Sequence, residues 1–333
     1  MSSCDVLLDA APPAGSQVGG QAWRVIGASV RGASHVRRGL PNQDALRWWP
    51  DEGTGPPLVL AIADGHGSAK CFRSQIGARL AVDTAVEVAP TLLGGQDGMV
   101  DLTAVEDVAQ AILDRWQAAV EAHLAETPFS EGELSGLEAE SGAGARQAVL
   151  HRPLLAYGAT LAAVVVTEWF IFYLQLGDGD ILTVSEDGVV SRPLPADERL
   201  FADQTTSLCT EGAWRDFRIG FQALADTWRA TAGGGAPDAA HGPGAAPQAA
   251  PALILLSTDG YANSFRDETG FLQVGPDLLG LIRTEGLGAV SQCLESWLGE
   301  ASRLGSGDDI TLAMVCRLPA PPLAPLPGGA RGS

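Results

Sequence analysis

Five stretches of this chain set acids among small residues where they can do chemistry together. Asp44 lies in "NQDAL", Asp64 in "AIADGHG", Asp178 and Asp180 in "LQLGDGD", Asp259 in "LLSTDG", and Asp308 and Asp309 in "GSGDDIT". The first four border apolar, strand-like runs, and the fifth precedes one. Any one of them alone is ordinary turn chemistry at a strand end. If the edges meet at one end of the sheets, however, the carboxylates face one another, repel, and are costly to bury. Divalent cations are the simplest remedy. Hard ions such as Mg²⁺ or Mn²⁺ take oxygen ligands and complete an octahedron with water. The absence of paired Cys and His ligands disfavours zinc.

The elements that must position these acids are legible as an alternation. Residues 23–32 and 45–49 alternate like strands, and 57–64 is a continuous apolar strand ending on Asp64. Residues 68–93 predict a helix, with Phe72, Ile76, Leu80, Thr84 and Val88 on one face. A second helix is expected over 102–126, facing inward through Val105, Val108, Ile112, Trp116 and Val120. The Gly, Ser and Glu-rich run 127–146 reads as a loop. Strands return at 158–167, 169–178 and 180–185, with shorter candidates at 205–209 and 217–221. Their two- to four-residue connections suit a meander and cannot hold a crossover helix. A buried strand then leads into Asp259, two helices are expected at about 276–283 and 287–302, and a last strand at 309–318. Of Trp48 and Trp49, one is expected in the core and one on the surface.

Composition bounds the function. Against 40 acids stand 21 bases, a formal charge of −19, so clustered cations for a polyanion are missing and nucleic acid is excluded as a partner. Five cysteines, far apart and without a C-x-x-C pair, read as reduced thiols in a cytoplasmic protein. The first residues show no signal peptide, and the apolar window 161–176, broken by Thr167 and Glu168, reads as two strands rather than a membrane span. Residues 1–20 read as a flexible N-terminus, 21–318 as one domain with a low-complexity insertion at about 230–252 outside the core, and 319–333 as a disordered tail. A monomer is expected.

In order along the chain, "GLPNQDA", "ADGHGS", "YGATLAAVVV", "LQLGDGDI", "STDGY" and "GDDITLAMV" resemble the metal-dependent protein serine/threonine phosphatases of the PP2C (PPM) type, over roughly residues 23–318. The resemblance implies an α+β fold: a β-sandwich of two antiparallel sheets flanked by pairs of helices, in α-β-β-α layers. It implies direct hydrolysis of phosphoserine and phosphothreonine in proteins, the targets of a Ser/Thr kinase, by a metal-activated water without a phosphoenzyme. Two Mn²⁺ or Mg²⁺ ions are implied, with a weaker third. Asp64 would bridge the two metals, with the carbonyl of Gly65 as a further ligand. Asp259 and Asp308 would complete the first shell, Asp44 would hold metal-bound waters, and Asp178 would serve the third ion. His66 is the candidate general acid, since an unperturbed imidazole titrates near neutral pH. Gly158 and Thr160 would pack near the site without touching substrate, and Asp180 and Asp309 read as solvated turn residues.

Two positions depart from the family pattern. Gln43 stands where many members have Glu, and Gly39 occupies the place of the usual phosphate-binding arginine. Phosphate capture would shift to Arg38, Arg37 or His35. "GDGDI" also lacks the small polar and basic residues usual there, and these changes resemble a bacterial subgroup. Two other classes stay open: a pseudophosphatase acting as a regulatory binding module, and a two-metal phosphodiesterase. Retention of Asp44, Asp64, Asp259 and Asp308 weighs against the first, and the lack of a basic track against the second.

Overall fold

The computed structural model describes residues 22–92, 102–195, 206–224 and 248–318. One sheet runs β2 (Ala45–Trp49), β4 (Leu58–Ala63), β5 (Leu161–Val166), β6 (Phe170–Leu176) and β9 (Arg218–Ala223). The other runs β3 (Thr54–Gly55), β1 (Ala22–Val30), β11 (Ile310–Leu318), β10 (Leu253–Ser257), β7 (Asp180–Val184) and β8 (Val190–Ser191). Every strand pair is antiparallel.

Both faces of each sheet are covered, which is why the strands read as unbroken apolar runs. Leu58, Leu60 and Ile62 meet Ile254, Leu256, Ala313 and Val315 between the sheets. Their neighbours Val59, Ala61 and Ala63 turn out to α2 (Ser74–Leu92) and α3 (Leu102–Glu126). On the far side Leu253, Leu255, Leu312 and Met314 bury against α7 (Glu268–Glu285) and α8 (Leu287–Leu304). The layering is the expected one. Trp48 and Trp49 depart from the expected split, since each is half-buried against a different core, Trp48 between the sheets and Trp49 under the helices.

Register brings the acidic edges to one end. Ala45 pairs with Ala63, Leu161 with Leu176, Val30 with Ile310, and Ser257 with both Leu312 and Asp180. Asp44, Asp64, Asp178, Asp259 and Asp308 each lie one or two residues beyond these pairs.

Several sequence expectations are corrected. Residues 127–146 are not a loop: α4 (Glu131–Ser141) opens on a capping box in which Ser130 and Glu133 satisfy each other's amides, and α5 (Ala143–His151) follows. The strands do not form one meander, because the turn at Gly177–Gly179 carries the chain from the first sheet to the second. Residues 206–209 form turns, with the Leu208 amide on the Ala159 carbonyl instead of in a ladder. The α2 helix begins at Ser74, six residues later than expected, because the Arg73 amide is given to Ala156. Its buried face is Ala78, Ala81, Val82, Ala85, Val86 and Ala89, set beside the predicted stripe; only Thr84 of that stripe is fully buried. Val108, Ile112, Trp116 and Val120 are buried in α3 as expected, while the Val105 side chain lies outside the described residues. The α7 helix starts eight residues before Pro276, at the Asp267 cap, and encloses the proline. Of the 230–252 insertion, 230–247 lies outside the described residues, but Ala250 and Ala252 are buried core. The expected N-terminus and tail also lie outside.

Cys71, Cys209, Cys293 and Cys316 are free thiols; Cys4 is outside the described residues. No helix among the described residues is long and apolar enough to cross a membrane.

Candidate metal centre

Asp44 is where the two sheets are tied together. It precedes β2 of the first sheet, yet its Oδ2 accepts hydrogen bonds from the hydroxyls of Thr258 and Thr311, both at 2.8 Å, at the ends of β10 and β11 in the second. Its other oxygen, Oδ1, is buried with no partner. Burial holds the Asp44 carboxyl well above the ordinary carboxylate range; the two threonine hydroxyls oppose the shift, and the charges of Asp309 and Asp259 add to it.

Asp64 closes β4 and is clasped by the start of β5. Its amide donates to Thr160 Oγ1 at 3.0 Å, and the Thr160 amide returns a bond to the Asp64 carbonyl at 2.8 Å. Burial raises the Asp64 carboxyl well above its usual value, and the charges of Asp44, Asp259 and Asp308 push the same way. Asp259, at the start of the short α6 (Asp259–Ala262), is also raised, chiefly by burial, and shares a hydrogen bond with Asp64. Asp178 is exposed, close enough for its charge to reach both His66 and Asp259.

His66 is half-buried, its amide donating to the Gly158 carbonyl at 3.1 Å. Burial lowers its pKa, and the Asp178 carboxylate works against that shift. The flanking Gly65 and Gly67, but not His66 itself, line a cavity of about 240 Å³ together with Asp64, Gln43, Asp308, Arg38 and Ser306, among others. Gln43 gives its Nε2 hydrogen to Ser74 Oγ at 2.7 Å, leaving Oε1 buried and unpartnered.

The structure brings Asp44, Asp64, Gly65, Asp259, Asp308 and His66 to one end of the sandwich, with Asp178 at its exposed margin. Of the three basic residues considered for phosphate, Arg38 lines the cavity and Arg37 is exposed on the same short helix, α1 (Ala33–Arg38). His35 points inward, with Nδ1 2.8 Å from Asp309 Oδ2 and Nε2 3.5 Å from Asp308 Oδ1. The Nδ1 contact is one of proximity, without the alignment of a hydrogen bond. Asp309 itself is 3% exposed, which corrects its reading as a solvated turn acid. Asp180 is paired with Arg192 at 2.8 Å and mostly covered. The sequence reading missed Thr258 and Thr311; the signal was a hydroxyl next to a strand-edge acid in "STDG" and "DDIT".

Among the described residues no three His, Cys, Asp or Glu side chains already stand in metal-binding geometry. The donor set still fits a hard divalent cation: oxygens only, an orphaned Asp44 Oδ1, and carboxyls whose pKa values burial first, and neighbouring carboxylates after it, push upward.

Comparison with known proteins agrees. A family model described as protein phosphatase 2C matches residues 31–299. Serine/threonine-protein phosphatase 3 of Escherichia coli (strain K12) is 36% identical over 91 residues, 26% of this chain and 34% of that protein, so the match spans about a third of the relative's length. The catalytic domain of the serine threonine protein phosphatase PstP, solved with two manganese ions, superposes with a TM-score of 0.51 at 15% identity, covering 90% of this chain and all of that one. The Mycobacterium tuberculosis phosphatase PstP/Ppp gives 0.52 at 14%, covering 89% and 99%. At these identities the structural likeness is one of fold.

Proposed function

The chain belongs to the protein phosphatase 2C family, and from that premise we propose that it hydrolyses phosphoserine and phosphothreonine monoesters in proteins modified by a serine/threonine kinase. The observation that carries the reading is the buried, unpartnered Asp44 Oδ1 among carboxyls whose pKa values burial and one another's charge raise, an arrangement a cation would relieve. Asp64, the Gly65 carbonyl, Asp259 and Asp308 would hold two Mn²⁺ or Mg²⁺ ions, with Asp44 and Gln43 Oε1 available to bound water and Asp178 to a third ion. Such ions supply a water ionised near neutral pH and positive charge against the phosphoryl oxygens.

The protein's own groups do the rest. Arg38, at the cavity rim, would pair with phosphate oxygens and fix the ester. His66, close to the Asp178 carboxylate, would give its proton to the departing serine or threonine oxygen. The Thr258 and Thr311 hydroxyls keep Asp44 Oδ2 occupied, so that the buried Oδ1 is the oxygen left for a ligand.

Phosphate release from a phosphothreonine peptide, with Mn²⁺ and with chelator, tests the reading. Metal-dependent release that is lost in Asp259→Asn is expected. Release indifferent to chelator, or full activity in that variant, would overturn it.

A further inference from the structure

Asp309 is the most heavily engaged carboxylate beside the cavity. Its Oδ1 accepts the Gly32 amide at 2.6 Å, and its Oδ2 accepts the Gln43 amide at 2.6 Å and lies 2.8 Å from His35 Nδ1. Four separate pieces of chain meet there: the end of β1, the α1 helix, the run before β2, and the start of β11. Its own amide donates to Asp308 Oδ1 at 2.9 Å. On one side, then, the Asp309 carboxylate holds Gln43, the residue before Asp44; on the other it holds His35, whose Nε2 lies 3.5 Å from Asp308 Oδ1, while the Asp309 backbone amide bonds that same oxygen.

From this geometry we propose that Asp309, backed by His35, is the positioning carboxylate of the metal centre, setting Asp44 and Asp308 at the spacing the ions require. The inference rests on the metal-centre reading above. Two neighbouring acids thus divide the labour: Asp308 turns to the cavity, half exposed, while Asp309 is buried and spends both oxygens on the protein.

The chemistry favours a carboxylate over its amide. Bonds from amides to an ionised acceptor are roughly twice as strong as neutral ones. An asparagine here would turn an N–H₂ donor toward either the Gly32 or the Gln43 amide, donor against donor. The close approach is itself built in: a Cβ at Gly32 would stand 2.3 Å from the Asp308 carbonyl carbon, so only glycine lets the end of β1 reach the acid. Partners of this kind, one step behind the ligands, typically change metal affinity roughly 10- to 100-fold when removed.

Asp309→Asn, His35→Gln, the double variant and Asp259→Asn provide the test, each titrated with Mn²⁺ by calorimetry and followed by the Mn²⁺ concentration for half-maximal phosphate release. Asp309→Asn is expected to weaken Mn²⁺ binding roughly 10- to 100-fold and to raise the half-maximal concentration by a similar factor. His35→Gln should weaken it less, and the double variant should weaken it by less than the product of the two single effects, since the His35–Asp309 contact is shared between them. If Asp309→Asn does not fold, His35→Gln decides alone. Unchanged affinity in the folded variants, with affinity lost in Asp259→Asn, overturns the positioning role and spares the metal centre. Unchanged affinity in Asp259→Asn as well overturns both.

Discussion

His66 rests on bare backbone at Gly158. The His66 amide donates to the Gly158 carbonyl at 3.1 Å, and a Cβ on residue 158 would stand 2.8 Å from His66 Cδ2. The same point lies 3.0 Å from Cys71 Sγ and 3.1 Å from Cys209 Sγ, so a methyl has three neighbours and none gives way freely. Gly158→Ala is expected to cost about 1–3 kcal/mol of stability by overpacking and to lower kcat by displacing the imidazole. Denaturant unfolding and steady-state kinetics read the two effects separately. Lost stability with kcat intact would show that His66 can move without consequence, and would remove it from proton transfer.

Without metal, the centre's carboxylates make the protein weaker as pH rises. Burial first, then mutual repulsion, raises Asp44 and Asp64 well above 3.8, and Asp259 is raised too. A carboxyl with a raised folded pKa stabilises the fold below its unfolded value of 3.8, and that stability is lost as pH climbs through the folded value. His66 runs the other way: its pKa is lowered from 6.5, so its contribution is present above 6.5 and lost as pH falls. Three carboxyls oppose one imidazole, and the carboxyls set the trend. Chelator-treated protein should therefore melt at a lower temperature at about pH 7.5 than at about pH 5.5, and saturating Mn²⁺ should remove the difference. Asp44→Asn should flatten the metal-free slope. A melting temperature that rises over this interval without metal would count against the crowded-carboxylate account.

How much of this was written locally in the chain can be judged residue by residue. Leu58 to Ala63 and Leu253 to Ser257 were legible as strands because both faces of each are buried, leaving no polar interruption. Asp44, Asp64 and Asp259 were legible as a set because each borders such a run. The centre of the α2 face was missed, because its fully buried contacts are mostly alanines, whose small side chains carry little hydrophobic signal beside Ile76 and Leu80, which pack partly buried against the same core. The α4 helix was hidden by its glycines and glutamates, although Ser130 and Glu133 spell a capping box. Asp308 and Asp309 could not be told apart at all, since their roles depend on Gly32, His35 and Gln43, which are more than 260 residues away.

The α4 helix is fastened to the core by one arginine. Arg73, itself buried, gives hydrogen bonds to both oxygens of Glu133 at 2.7 and 2.9 Å, to the carbonyls of Thr127 and Pro128, and to the Tyr157 hydroxyl. The guanidinium sits 4.8 Å over the Phe129 ring, and it holds the Glu133 carboxyl down to about 2. Glu133→Gln is expected to cost about 2 kcal/mol, the loss of a charge-assisted bond to a buried cation. Ser130→Ala should cost about 1 kcal/mol through the cap, and the double change less than the sum because Glu133 serves both contacts. Since the folded pKa is lowered from 4.5, the Glu133 contribution is complete above 4.5 and lost as pH falls toward about 2. Urea midpoints should show the gap between wild type and Glu133→Gln closing over that interval; a gap constant with pH would remove the charge from the explanation.

Substrate phosphate is the remaining question at the cavity, and geometry separates its three basic candidates. His35 and Arg38 both line it, but His35 is buried and held against Asp308 and Asp309, whereas Arg38 is exposed and has no such partner among the described residues. Gly39 beside it adopts the left-handed conformation, φ 72°, that ends the α1 helix, so a side chain at position 39 would be strained, and Arg38 is the proposed source of the guanidinium. Arg38→Ala is expected to raise KM for a phosphothreonine peptide about tenfold, the loss of roughly one charge-assisted contact of about 1.4 kcal/mol, while leaving Mn²⁺ affinity within twofold. Arg38→Lys should recover only part of that loss, because an ammonium cannot make the paired bonds of a guanidinium. Arg37→Ala, whose guanidinium reaches toward Gly307 and does not line the cavity, should change KM much less. A KM that responds to Arg37 and not to Arg38 would move the phosphate to the outer face of α1 and away from Asp64.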